Sequence, residues 1–227
     1  MASTFFGLTI AYSGLQAANT SLTITGHNVS NINTKGYTRQ QAGTQAADAL
    51  RTHTTYGAIG SGVVVTEISQ IRDSYYDVKY RNNMANYGQY SVKESYMGQI
   101  EDYLDEFTLN GYSQEYKNFF SAVNQLTITP GDTSAKNQLI NNAKSLADYF
   151  NTLTTNLRNV QADANNEIKD AVQQINSYAK NIAALNRQIN QIEANYGNAN
   201  DLRDKRNAMI DELSEIVNLE TSEEDMG

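Results

Sequence analysis

The chain has 227 residues, a formal charge of -8 and a hydrophobic content of 40%, with neither Cys nor Trp. Lack of Cys excludes disulfides, thiol catalysis and thiolate metal sites, and the acidic balance argues against nucleic-acid binding, which needs a basic face. No apolar run is long enough to cross a membrane, and the start MASTFFGLTIAYSGL lacks the basic n-region and continuous apolar core of a secretory signal peptide.

From Met1 to Thr66 the only charged side chains are Lys35, Arg39, Asp48 and Arg51. A soluble helix normally carries a charged outer face, so a segment this poor in charge needs a partner surface. Phe5, Leu8, Tyr12, Leu15, Leu22 and Val29 recur at 3-4 spacing, with Asn19 and Gly26 in the same row. This predicts a helix with a wide, weakly apolar seam that ends near Ser30-Asn31, before Gly36. The seam fits a helix buried in a bundle and a helix that associates with other chains equally well. Leu8, Tyr12, Leu15, Leu22 and Val29 are the candidate assembly residues.

From Thr38 to Ile71 the punctuation by Gly57, Gly60 and Gly62 and the β-prone run Val63-Val64-Val65-Thr66 predict a loop with a short hairpin or extended strand. Gly60-Ser61-Gly62 lacks the strand-loop-helix context and the Lys-Ser/Thr of a phosphate loop. A second helix is predicted from about Arg72 to Phe107, ending near Asn110-Gly111. Its tyrosines, Tyr76, Tyr80, Tyr87 and Tyr90, follow helical spacing and are expected to pack their rings inward with the hydroxyls at the wet edge. A short helix from about Ser113 to Leu126 should turn Tyr116, Phe119, Phe120 and Val123 inward.

Thr129-Pro130-Gly131-Asp132 is a sharp turn, after which Asp132 or Thr133 can cap the next helix. From Leu139 through Ala143, Leu146, Phe150, Leu153, Leu157 and Val160 the apolar positions alternate by four and three. Ala164 and Ile168 insert an extra step of four, a stutter, before Ala171, Ile175, Tyr178, Ile182, Leu185, Ile189, Ile192 and Tyr196 resume the pattern. A helix from Asp132 to Tyr196 would be roughly 95 Å long, which suits a rod. Gly197 is the expected C′ residue. Asn200 is the expected cap of a last helix, Asp201 to Val217, with Leu202, Met209, Leu213 and Ile216 inward. Its mixed charges, among them Asp201, Arg203, Asp204, Lys205, Arg206, Asp211 and Glu212, read as solvated i,i+3 and i,i+4 ion pairs rather than a catalytic carboxylate pair.

No stretch of the chain assembles a reaction centre. His27 and His53 lie on different predicted elements without acidic partners nearby, so no metal site is expected. No nucleophile elbow, kinase set or zinc-hydrolase motif is present. The chain is therefore expected to be a non-enzyme with no cofactor. The fold expected is all-α, an elongated helical bundle or coiled-coil rod with a small β-hairpin or extended-loop excursion. Its divisions are an N-terminal helix and turn (1–37), a connector (38–71), a long-helix bundle (72–219) and the acidic start of a further segment (220–227).

Three segments carry a family resemblance. Ala11-Tyr12-Ser13-Gly14-Leu15 followed by Asn28-Val29-Ser30-Asn31-Ile32-Asn33-Thr34-Lys35-Gly36-Tyr37 resembles the N-terminal signature of the flagellar rod, hook and hook-associated axial proteins, and Gly62-Val63-Val64-Val65 with Ile71-Arg72-Asp73 resembles the stretch after it. Asn200-Asp201-Leu202-Arg203-Asp204-Lys205-Arg206-Asn207 with Asp211-Glu212-Leu213-Ser214 is similar to the hook-associated members at the hook–filament junction. The resemblance marks Ser13, Gly14, Leu15, Asn28, Asn31, Asn33, Thr34, Gly36 and Tyr37 as signature residues. It implies an extracellular structural subunit of the bacterial flagellum, exported unfolded by the type III apparatus without a cleaved signal. Implied partners are further copies of itself, the hook protein, the adjacent hook-associated protein and an export chaperone, with no nucleic acid and no membrane insertion. In that family the N-terminal helix pairs with a C-terminal helix, and no such helix occurs in these residues. The alternatives are a rod or hook protein of the same family, an extracellular peptidoglycan-acting enzyme on an axial scaffold, and a cytoplasmic coiled-coil adaptor.

Overall fold

The computed structural model describes residues 5–49, 57–104, 111–194 and 197–223. The elements in chain order are α1 (Phe6–Ser30), β1 (Gln40–Ala46), β2 (Val63–Gln70), α2 (Ser74–Leu104), α3 (Tyr112–Ile128), α4 (Thr133–Glu193) and α5 (Asn200–Ile216). The fold is all-α with one small antiparallel hairpin, as the sequence pattern predicts. The chain divides into two compact units, Met1–Ala85 with Ile175–Gly227, and Asn86–Gln174. His53, Phe107, Asn110 and Tyr196 lie outside the described residues.

In the first unit α1 lies on the hairpin. Its covered face is a row of mostly small residues: Ala17 and Ile24 are buried, while Ile10, Ser13 and Thr20 are half-buried. Four threonines turn their hydroxyls back on the helix: Thr9, Thr20, Thr23 and Thr25 each donate to the carbonyl four residues earlier. A β-branched, uncharged sequence thereby satisfies its own polar side chains on the helix.

β1 pairs with β2 from Gln40↔Gln70 to Ala46↔Val63, with a register shift between Gly43 and Thr44. Gly43 faces Glu67 and Thr44 faces Val65, so Thr66 is the extra residue of a bulge; its hydroxyl donates to the Gly43 carbonyl at 3.2 Å. At the hairpin's near end Gly62 sits at φ +109°, and a Cβ there would run into the Ser13 hydroxyl. Ser13 Oγ in turn donates to the Ile10 carbonyl and accepts from the Val63 amide at 3.2 Å. Helix and strand touch there because Gly62 has no side chain and Ser13 has a short one.

Two helix starts, those of α2 and α4, obey the turn chemistry. The Asp73 carboxylate accepts the Tyr75 amide at 3.0 Å, and Asp132 accepts the Ser134 amide at 2.8 Å, as expected for Asp132. In the second unit Ala122, Ala135 and Val160 are buried, and Asn142 Nδ2 donates to the Asn118 carbonyl at 2.9 Å. Along α4 most of the heptad row is buried or half-buried, but Phe150, Leu157 and Ile192 are 38% to 45% exposed, and Ile168, at the stutter, is the most exposed at 62%. An extra step of four rotates that position out of the seam.

Several sequence-level expectations fail. Tyr76, Tyr80, Tyr87 and Tyr90 of α2 point outward, between 50% and 67% exposed. Helical spacing identifies a face without saying whether it is covered. Tyr116 and Phe120 are likewise nearly half exposed, and Ala122 is the buried residue of α3. Their rings form a ladder, with Tyr112 to Tyr116 at 5.4 Å and Tyr116 to Phe120 at 4.5 Å between centroids. Gly197 is not left-handed; α4 ends at Glu193, and the Gly197 amide donates to the Ile192 carbonyl. Asn200 does not cap α5 with its side chain. Its Nδ2 reaches the hairpin instead and donates to the Ile68 carbonyl at 2.7 Å. Leu202, Met209, Leu213 and Ile216 are only half-buried, and the buried residues on α5 are Asn200, Asp204 and Ser214.

Candidate assembly surface and its polar anchor

Leu8, Tyr12, Leu15, Leu22 and Val29 stand on the side of α1 away from the hairpin, each between 58% and 70% exposed. Leu8, Leu15, Leu22 and Val29 are spaced by sevens, so they form one continuous stripe. The two faces of α1 are thus divided by side-chain size. The covered face is mostly small, with Ser13, Ala17 and Thr20 between Ile10 and Ile24, while Leu8, Tyr12, Leu15, Leu22 and Val29 point into solvent.

The C-terminal end of α1 is held by one amide side chain. Asn28 Oδ1 accepts from the Gln40 amide at 2.9 Å and from the Tyr37 hydroxyl at 2.7 Å, while Asn28 Nδ2 donates to the Gln40 carbonyl at 2.9 Å. Asn28 satisfies both backbone groups of a buried residue, as a neighbouring strand would. The Tyr37 hydroxyl has a single proton, and Asn28 takes it. His27 Nδ1, 3.0 Å from the same oxygen, must then be the donor. His27 is exposed and edge-on to the Tyr37 ring, a hydrogen-bonded histidine with no ligand cluster around it. Burial pushes the Tyr37 hydroxyl above its ordinary value, with Asp201 and Asp204 adding to the effect.

The turn after α1 is closed by local bonds. Asn31 Nδ2 donates to the His27 carbonyl at 3.0 Å, and Thr34 Oγ1 donates to Asn31 Oδ1 at 3.2 Å. Gly36 adopts φ +79°, and a Cβ there would lie 2.9 Å from Ala208 Cβ on α5. The signature residues therefore divide. Ser13, Asn28, Gly36 and Tyr37 contribute to the junction of α1, the hairpin and α5, Asn31 and Thr34 close the turn, and Gly14, Leu15 and Asn33 are exposed on the surface.

The bonds of the α5 charges run across to other elements rather than following the solvated pattern read from local spacing. Asp204, 6% exposed, accepts the Thr38 amide at 2.9 Å, and Asp201 accepts from Gln40 Nε2 at 2.8 Å. Asp211 accepts from Arg81 Nε at 2.8 Å. Arg203 grips Glu193 through Nε and Nη2 at 2.6 and 2.8 Å, and these bonds hold the Glu193 carboxyl below its ordinary range. Glu212 accepts from Lys35 at 2.9 Å and from the Tyr178 hydroxyl at 3.2 Å. The Lys35 bond lowers the Glu212 carboxyl and raises the Lys35 ammonium. Sequence reading missed this network because its partners are far apart in the chain. The clue in the sequence is charge density on α5 set against its near absence before Thr66. Among the described residues no group of three or more acidic or histidine side chains is placed to hold a cation.

This is the fold of a helical flagellar domain: the family model for the flagellar hook-associated protein FlgK helical domain matches residues 97–227. Similar relatives are the flagellar hook-associated protein 1 of Bacillus subtilis (32% identical over 227 residues, 98% of this chain and 45% of the relative) and that of Salmonella typhimurium (33% over 219 residues, 96% and 39%). The protein of the same name from Escherichia coli K12 is 32% identical over 219 residues, 96% of this chain and 40% of the relative. The chain belongs to the flagellar hook-associated protein FlgK family. It spans less than half the length of these relatives and matches their N-terminal part.

Proposed function

We propose that this chain is part of a structural subunit of the bacterial flagellum, acting at the hook–filament junction after export by the type III apparatus. It works by helix–helix association and not by catalysis. The observation that carries the reading is the outward stripe Leu8, Tyr12, Leu15, Leu22 and Val29 on a helix whose other face is already committed to its own hairpin. Burying a Leu or Val side chain contributes roughly 1.5–3 kcal/mol, so a stripe of this length holds a partner helix without any polar contact. Residues 1–37 form the assembling segment, 38–71 the connector and 72–219 the bundle that makes lateral contacts, with 220–227 the start of a further segment. Partners are further copies, the hook protein and the adjacent hook-associated protein, with an export chaperone before assembly.

The test is the double substitution Leu15→Asp with Leu22→Asp in the full-length subunit. Both residues are exposed, so the helical circular dichroism of the purified protein should be unchanged while incorporation into flagella is lost. Flagella that still contain the variant would remove the stripe from the mechanism.

A further inference from the structure

At Val217 the backbone becomes extended (φ -144°, ψ 140°). Residues 219–223 form one wall of a cavity of about 770 Å³ whose other walls are the hairpin's end, the start of α2, the end of α4 and α5. Glu220 and Ser222 line it as well, but the burial and the side-chain bonds fall on alternate residues. Leu219 is half-buried. The Thr221 hydroxyl accepts from Arg81 Nη1 at 3.0 Å. Glu223 Oε1 accepts from Arg203 Nη1 at 2.8 Å and Arg206 Nη2 at 2.7 Å. Period two is the side-chain pattern of an extended strand.

The groove supplies a matching sequence of surfaces. Ile210 and Leu213 line the cavity with Leu219. Arg81, only 6% exposed, has its Nε on Asp211 and its Nη1 on Thr221, while its Nη2 is buried without an acceptor among the described residues. Loss of the Thr221 hydroxyl would therefore orphan a second nitrogen of a buried cation, which is costly. At the far end two guanidinium groups converge on one carboxylate oxygen, and such charge-assisted bonds are stronger than neutral ones.

We propose that this groove is an intramolecular receptor for residues 219–223, recognising an extended Leu-x-Thr-x-Glu string, and that it fixes the course of the chain after α5. The clamp has a neutral half and a charged half. Leu219 holds by being half-buried and Thr221, itself exposed, by its hydroxyl on the buried Arg81, whereas Glu223 holds through ion pairs that salt screens. Without the groove a stretch as polar as Glu220–Glu223 has too little apolar surface to order itself.

Backbone ¹⁵N relaxation on the whole chain tests this directly. The wild-type order parameters of residues 219–223 should approach those of α5, about 0.85, and fall below about 0.6 in Glu223→Gln with Thr221→Val. Thr221→Ser should restore order at Leu219 and Thr221, since the hydroxyl is what Arg81 uses. Raising salt to about 1 M, where screening acts within a few ångströms, should loosen Glu223 more than Thr221. Glu223 is half exposed, so Glu223→Gln alone tests the charged half without threatening the fold. Wild-type values as low as a free tail, or undiminished order in the double variant, would overturn the proposal.

Discussion

Replacing Asn28 by Ala removes three hydrogen bonds at once, and two of them end on the backbone of Gln40, which is 8% exposed. A buried donor or acceptor left unpaired costs about 1–3 kcal/mol. Partial access of water to a site this near the helix end brings the pair to about 2–3 kcal/mol in total. If that loss is local, the Gln40 amide opens more often. At 1.4 kcal/mol per factor of ten, its hydrogen exchange should accelerate about 30- to 150-fold. Asn28→Asp separates shape from chemistry. It keeps one acceptor for the Gln40 amide but sets a carboxylate oxygen against the Gln40 carbonyl where an N–H stood. At neutral pH it should therefore rescue little. The assay is amide exchange monitored by NMR, with amides in the middle of α4 as the internal standard. If Gln40 exchanges at the wild-type rate in Asn28→Ala, the Asn28 amide does not anchor the end of α1.

Two further outcomes are expected in the same unit. Gly36→Ala puts a Cβ at φ +79° and 2.9 Å from Ala208 Cβ. Left-handed backbone alone costs about 1–2 kcal/mol, so urea unfolding should show at least that loss, and adding Ala208→Gly should recover only the contact part. The Glu193 carboxyl is depressed by Arg203. Its contribution is therefore complete above the unfolded value of about 4.3 and lost as pH falls through the lower folded value. An acid titration monitored by circular dichroism should show Glu193→Gln less stable at neutral pH, with the gap to wild type closing below about pH 4. A gap that stays constant into acid would refute the assignment.

Much of the fold is legible in the sequence. Pro130-Gly131 separates α3 from α4, and a repeat of four and three persists only where a helix continues, so α1, α3, α4 and α5 appear within a few residues of their bounds. What covers each face is harder to read. In α1 the row Leu8, Leu15, Leu22 and Val29 has the spacing of a core row, yet the covered face is Ile10, Ser13, Ala17, Thr20 and Ile24, mostly short side chains that let the helix lie close on the hairpin. The tyrosines of α2 mislead for a related reason: periodicity records a face and is silent about its neighbour. Asn28, Asn31 and Gly36 can be singled out as a motif, but their roles depend on Gln40 and Ala208. Gln40 comes after the turn, and Ala208 sits on α5, far along the chain. The cross-element charges of α5 are hidden for the same reason, since local spacing offers each of them a plausible partner on α5 itself.

The amide of Asn28 closes both polar groups of Gln40, and Gly36 leaves no room for slack against Ala208. Helix and strand consequently meet as a welded corner rather than a hinge. The inclination at which α1 departs from its hairpin is thus cast into each molecule, and any array that stacks α1 on its neighbours inherits its pitch from that corner.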